Sequence, residues 1–168
     1  FPYTTLFRSQ KEIFDALGLP YGHRIESFDH SHIQGADPVS ALVVFTDGEP
    51  DKHEYRKYKL KGEVEHQNAA DEVGNTREVV RRRYSRLLKE HKKMPDLILM
   101  DGGQIQVDAC LDVLRNELNV NIPVAGMVKD DHHRTNHLIF GDPTQGEELK
   151  LIPLNPKSEG FYLMTRIQ

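Results

Sequence analysis

One cysteine, Cys110, stands in this 168-residue chain, so no internal disulfide can form and a reducing compartment is expected. Cys110 lies in a helical apolar pattern and reads as a core residue. Long hydrophobic runs are missing as well. None approaches the roughly 20 residues that span a bilayer, and no secretory signal is visible, which points to a cytoplasmic protein with no membrane partner. Charge of one sign is scarce: the formal net charge is -4. That excludes coating nucleic acid by bulk charge and leaves room for a local basic patch. The chain has no Gly-x-x-x-x-Gly-Lys-Ser/Thr loop to cradle phosphates and no Gly-x-Ser-x-Gly elbow for a nucleophilic serine. Asp130-Asp131-His132-His133 has no partner cysteines and no tetrahedral zinc spacing, so it reads as a polar loop. Repeats and low-complexity tracts are lacking.

What remains is an ordinary globular mixture, 38% hydrophobic and 29% charged, long enough for one domain with a real core. Residues 1–9 resemble a translated sequencing adapter joined to a gene fragment and are set aside from the fold. Residues 10–17 read as the end of a helix, stopped at Leu17-Gly18. Three strand-like segments follow: Arg24–His30, Ala41–Phe45 and Glu54–Lys61. Asp47-Gly48-Glu49-Pro50 is a strong turn between the second and third. Short links between consecutive strands predict an antiparallel meander.

A helix is expected next, with Asn75 as N-cap and Glu78 completing a capping box. Val80, Tyr84, Leu87 and Leu88 share one face, and arginines and lysines from Arg77 to Lys93 cover the rest. Then comes Asp96-Leu-Ile-Leu-Met-Asp101-Gly-Gly103, an apolar run of a strand buried on both faces, ending on a carboxylate. A second helix runs from about Gln104 to Leu118, followed by a short strand at Pro123–Val128. His137–Phe140 and Leu149–Leu154 read as a hairpin, and Ser158–Gln168 starts a further helix. The fold class is α/β with a mixed sheet: a three-strand antiparallel meander, then alternating helices and strands, the order of RNase H-like folds.

That order would bring Asp29 on the first strand beside Asp101. Two carboxylates on neighbouring central strands offer hard oxygen ligands to Mg²⁺ or Mn²⁺. Two such ions can clamp the attacking and leaving oxygens of a phosphodiester. The plain alternative for Asp101 is a turn that caps the next helix. Asp71 and Glu72 could complete the metal site or face the dipole at a helix N-terminus. Gly102 and Gly103 leave room for a ligand near the backbone. Arg81, Arg82 and Lys129 are candidates for phosphate contact, against the reading of a solvated surface. His30 and His32 flank Asp29 and are expected on the opposite face or beyond the strand end.

Phe28-Asp29-His30-Ser31-His32-Ile33-Gln34-Gly35, then Val79-Val80-Arg81-Arg82-Arg83-Tyr84, then Leu97-Ile98-Leu99-Met100-Asp101-Gly102-Gly103 together resemble the UvrC family, the C component of the bacterial excinuclease ABC. The resemblance runs from about residue 10 to Gln168 and covers the family's C-terminal RNase H-like endonuclease domain. It implies a metal-dependent incision 5′ to a DNA lesion. Damaged DNA is one implied partner. The other is the excinuclease's B component, UvrB, through a segment of the parent protein outside this stretch. The resemblance places the two catalytic aspartates on Asp29 and Asp101 and a further acidic position on Glu72. Gln104 stands where the family often has Lys. The family's catalytic His follows an Arg-Ile-Gln-like segment, and this sequence stops at Arg166-Ile167-Gln168. The stretch alone is therefore expected to have little activity. The alternatives are an endonuclease V-like nuclease of the same fold and a non-catalytic binding module with a vestigial acidic site.

Overall fold

The computed structural model describes residues 5–31, 37–61, 72–129, 131–132, 135–155, 160, 163 and 167. Helix α1 (Thr5–Ala16) leads into β1 (Arg24–Ser31), β2 (Val39–Thr46), β3 (Glu49–Pro50) and β4 (Arg56–Lys59). Helix α2 (Glu72–Lys89), β5 (Leu97–Asp101), α3 (Gln104–Leu111), β6 (Val124–Lys129), β7 (Thr135–Phe140) and β8 (Lys150–Pro153) follow. The eight strands form one mixed sheet in the order β3-β2-β1-β5-β6-β7-β8, with β4 also on β2. The expected meander is present, β2 pairing antiparallel with both β1 and β4. The central β1-β5-β6 trio is parallel.

Alternation along the central strands separates two cores. Phe28, Ile98 and Met100 pack with α2 and α3 residues such as Val80, Tyr84, Val107 and Leu111. Ile25, Leu97 and Leu99 pack with Ile13 and Phe14 of α1 and with Leu163 and Ile167. Strands β5 and β6 are thus apolar on both faces, as parallel strands between helical layers must be. Cys110 belongs to the α2–α3 core, and burial pushes its thiol up to about 12. No helix among the described residues is long and apolar enough to cross a membrane.

The β2–β3 turn is a two-residue loop at Asp47-Gly48, with φ of 51° and 84°. Two positive φ values mark the tight hairpin turn whose twist matches the strands it joins, and Asp-Gly suits it. Gln10, fully buried, clamps this turn to α1. It accepts from Gly48 N at 2.7 Å and donates to the carbonyls of Gly22 and His23 at 2.8 and 2.9 Å.

Two expectations shift, those for the start of α2 and for the second helix. Residues 5–9, set aside from the sequence, form the first turns of α1, with Ser9 buried and the Phe7 ring stacked on Tyr21 at 4.5 Å. Extending a helix already docked costs little once its nucleus exists. The capping box at Asn75 and Glu78 does not form: α2 begins at Glu72, and both residues lie buried inside it. Glu78 instead accepts from Lys61 N at 2.8 Å, a tertiary partner, and from Arg82 one turn further along α2 at 3.1 Å. The second helix is α-helical only to Leu111 and continues as a π-helical stretch, Asp112–Glu117. Most of the expected helix at 158–168 lies outside the described residues.

Candidate functional site

Strands β1 and β5 are paired in register through Phe28 and Met100, so Asp29 and Asp101 are the next residues along the ladder. In-register residues of a parallel pair point to the same face, and neighbouring strands lie about 4.8 Å apart. Both carboxylates therefore emerge on one side, at the carboxyl ends of two central strands. Two residues earlier, the buried Ser27 hydroxyl donates to the Leu99 carbonyl at 2.8 Å and ties the strands together below them. Asp29 is exposed and Asp101 partly exposed.

Asp101 does not cap the helix that follows. The N-cap of α3 is Gly103, with no side-chain cap. The Asp101 carboxylate is straddled instead by Lys129 Nζ, 3.1 Å from one oxygen and 3.3 Å from the other. Lys129 sits at the end of β6, in the strand next to β5. Lys129 thus lies against Asp101, while Gln104 is exposed at the start of α3. Gly102 is not the open space expected of it: a Cβ there would lie 2.4 Å from Gln106 Cγ, so that room is filled from within. Gly103 does face open space.

His30 points to the other face, as alternation requires. Its Nδ1 lies 3.1 Å from Ser40 Oγ and its Nε2 lies 3.1 Å from Thr76 Oγ1. Thr76 in turn donates to Gln106 Oε1 at 3.0 Å. With the Thr76 proton committed to Gln106, His30 donates from Nε2 and accepts from Ser40 at Nδ1. This relay binds α2, α3, β1 and β2 directly behind the carboxylates. Burial lowers the His30 pKa, opposed by the negative charges of Glu72, Asp29 and Asp101. All three acids are therefore electrostatic neighbours of one imidazole. Glu72 is exposed at the first position of α2, where it also complements the helix dipole. Asp71, His32, Asp130 and His133 lie outside the described residues.

Among the described residues, no three His, Cys, Asp or Glu side chains form a ready metal cluster. The set present is two carboxylates on one face. Such a set fits Mg²⁺ or Mn²⁺, which keep waters and take phosphate oxygens for the rest of their shell. The phosphate candidates divide. Arg81 is bound to Glu117, with Nε at 2.7 Å. Arg82 lies across the Tyr58 ring and donates to Glu78 and to the Lys59 carbonyl.

The family model for the UvrC RNase H endonuclease domain matches residues 14–168. The chain belongs to the UvrC RNase H endonuclease domain family. UvrABC system protein C of Lactobacillus gasseri is 99% identical over 160 residues, covering 95% of this chain and 27% of that protein. The Limosilactobacillus reuteri counterpart is 66% identical over the same share of the chain and 25% of its own length. This UvrC-family chain thus spans about a quarter of the curated relatives it matches. Among solved structures, Ciona intestinalis endonuclease V bound to inosine-containing DNA aligns over 90% of the chain and 76% of its own. Its TM-score is 0.51 at 18% identity, a likeness of fold. The RNase H-like α/β class read from element order is the fold of this UvrC-family domain.

Sequence reasoning missed Glu26 in this domain. It is fully buried on β1 and accepts from Arg24 Nε at 2.9 Å, Arg83 at 3.1 and 3.3 Å, and Tyr84 Oη at 2.8 Å. Arg24 and Glu26, two apart on a strand, share a face, and the arginine-rich helix supplies the rest. That i, i+2 pair was the available signal.

Proposed function

We propose that this domain makes the 5′ incision beside a DNA lesion in bacterial nucleotide excision repair, in the cytoplasm, by metal-dependent phosphodiester hydrolysis. The carrying observation is that β1 and β5 run in register through Phe28 and Met100, so the residues that follow, Asp29 and Asp101, fall on one face at the strand ends. These two side chains would hold Mg²⁺ or Mn²⁺. A bound divalent cation supplies charge neutralisation at the scissile phosphate and a more acidic water. Glu72, on the neighbouring helix end, supports the site or orients water. Lys129 holds an ammonium at Asp101 and is placed to exchange that carboxylate for a phosphate oxygen. Arg81 is held by Glu117 and Arg82 by Glu78, so either arginine would exchange an internal carboxylate for a phosphate oxygen. Damaged DNA is the substrate, and UvrB, the excinuclease's B component, is the partner of the whole protein.

A thermal-shift titration of the 168-residue chain with Mn²⁺ tests the site. At ten times Kd a ligand stabilises the folded state by about 1.4 kcal/mol, or roughly 3–6 °C for a domain of this size. The wild type is expected to shift by that amount, and the Asp29→Asn/Asp101→Asn variant is not. Equal shifts in both would favour a binding module with a vestigial site.

A further inference from the structure

At the far end of β1 from the carboxylates lies a groove of about 550 Å³ between β4 and the C-terminal half of α2. Arg24 marks its place along β1, five residues from Asp29, or about 16 Å at strand rise. Eight cationic side chains line it against Glu54 and Glu90, with Glu26 and Glu78 buried beneath the arginines, so cations still outnumber carboxylates two to one in a chain whose net charge is -4. Positive charge is thus gathered here, away from the acidic average.

The groove is built in two tiers. Arg24 and Arg83 form a fixed floor, both gripped by the buried Glu26. Lysines stand on the rims. Lys57 on β4 and Lys93 beyond α2 are exposed and have no ion-pair partner among the described residues. Leu87 is the single aliphatic lining residue, with Tyr58 under Arg82. A protein partner needs apolar anchors in a desolvated centre, which this groove does not offer. A phosphodiester backbone needs spaced cations whose counterions can be released, and it meets them on both walls.

We infer that this groove is a second nucleic-acid contact, a seat for the backbone of duplex DNA remote from the incision carboxylates. The inference rests on the nuclease reading only for the identity of the polyanion. Binding there requires no metal, so it is measured in EDTA, where a failed metal site has no influence.

The test is fluorescence anisotropy of a labelled, undamaged duplex of about 25 base pairs over a KCl series. The Lys57→Gln/Lys93→Gln variant is compared with Lys11→Gln/Lys150→Gln, an equal loss of exposed charge elsewhere. Each lost phosphate contact removes about 0.9 from the slope of log K against log salt. The groove variant is expected to lose about 1.8 in slope and about tenfold or more in affinity near 0.1 M salt, with the control unchanged. A groove variant that keeps the wild-type slope, or a control that loses as much, overturns the proposal. So would a wild-type chain that ignores the duplex at low salt yet binds polyglutamate, which would give the groove to an acidic protein. Urea midpoints of both variants, expected at the wild-type value, separate lost binding from lost folding.

Discussion

Replacing Glu26 with Gln tests whether the buried charge cluster governs the stability of this domain. The side chain is 0% exposed, and its carboxylate is the shared acceptor for two guanidiniums and a phenol. The Arg83 side chain is only 11% exposed and Arg24 23%. Gln keeps the shape, removes the charge, and turns an NH₂ toward donors. Arg83 is left as an uncompensated, largely buried cation. Breaking a buried pair from one side costs about 3–5 kcal/mol. Domains of this size are stable by about 5–15 kcal/mol, so the loss is a large share of the total. Urea denaturation and calorimetry should show it, with a fall in Tm of roughly 6–20 °C. The paired change Glu26→Leu/Arg83→Met should cost less than the sum of its singles, because it removes both charges together. A Glu26→Gln variant within about 1 kcal/mol of wild type would refute the idea that the cluster is desolvated and interdependent.

Three further outcomes follow from the same structure. Burial lowers the His30 pKa below its unfolded value, so the folded state binds fewer protons there. Its stability contribution is present above the unfolded pKa of about 6.5 and is lost as pH falls from there toward the folded value; urea midpoints between about pH 7.5 and 5 should drop for wild type and less for His30→Gln. Gly48→Ala places a methyl 2.0 Å from the Leu6 carbonyl oxygen at a φ of 84°, and should cost about 2–3 kcal/mol with α1 loosening first in hydrogen exchange. Lys129→Gln breaks a part-exposed ion pair and should change stability by under about 1 kcal/mol, yet tighten Mn²⁺ binding severalfold by calorimetry, since Asp101 is released.

The parts of the fold legible in the sequence are those where one face decides. Strand β5 shows as a continuous apolar run, and Asp47-Gly48 announces its own turn. Element order puts β5 beside β1, but the face on which Asp29 and Asp101 emerge depends on the register, which ends in the pair Phe28 and Met100 and is not read from order alone. The start of α2 was not legible. Asn75 and Glu78 carry a strong local cap signal, but α2 begins at Glu72 and the Glu78 carboxylate is taken by Lys61 N across the fold and by Arg82 one turn on. Lys129 could be guessed at the site but not its grip on Asp101, which depends on where β6 ends. Arg81 and Arg82 are neighbours in the same charge run, yet Glu117 captures one and Tyr58 underlies the other. Helical periodicity separates their faces but does not say what waits opposite each.

The outer rims of the sheet carry one more consequence. Strand β8 closes one side with Lys150 at its start and Pro153 at its end, leaving Leu151 turned outward at 60% exposure. The other side is split between β3, which contains Pro50, and β4, which carries Arg56, Lys57 and Lys59. Prolines interrupt the row of backbone donors, and the charges repel a like strand. Neither border is a template for adding a neighbour's strand, so crowded copies of the domain are guarded against fusing their sheets into aggregates.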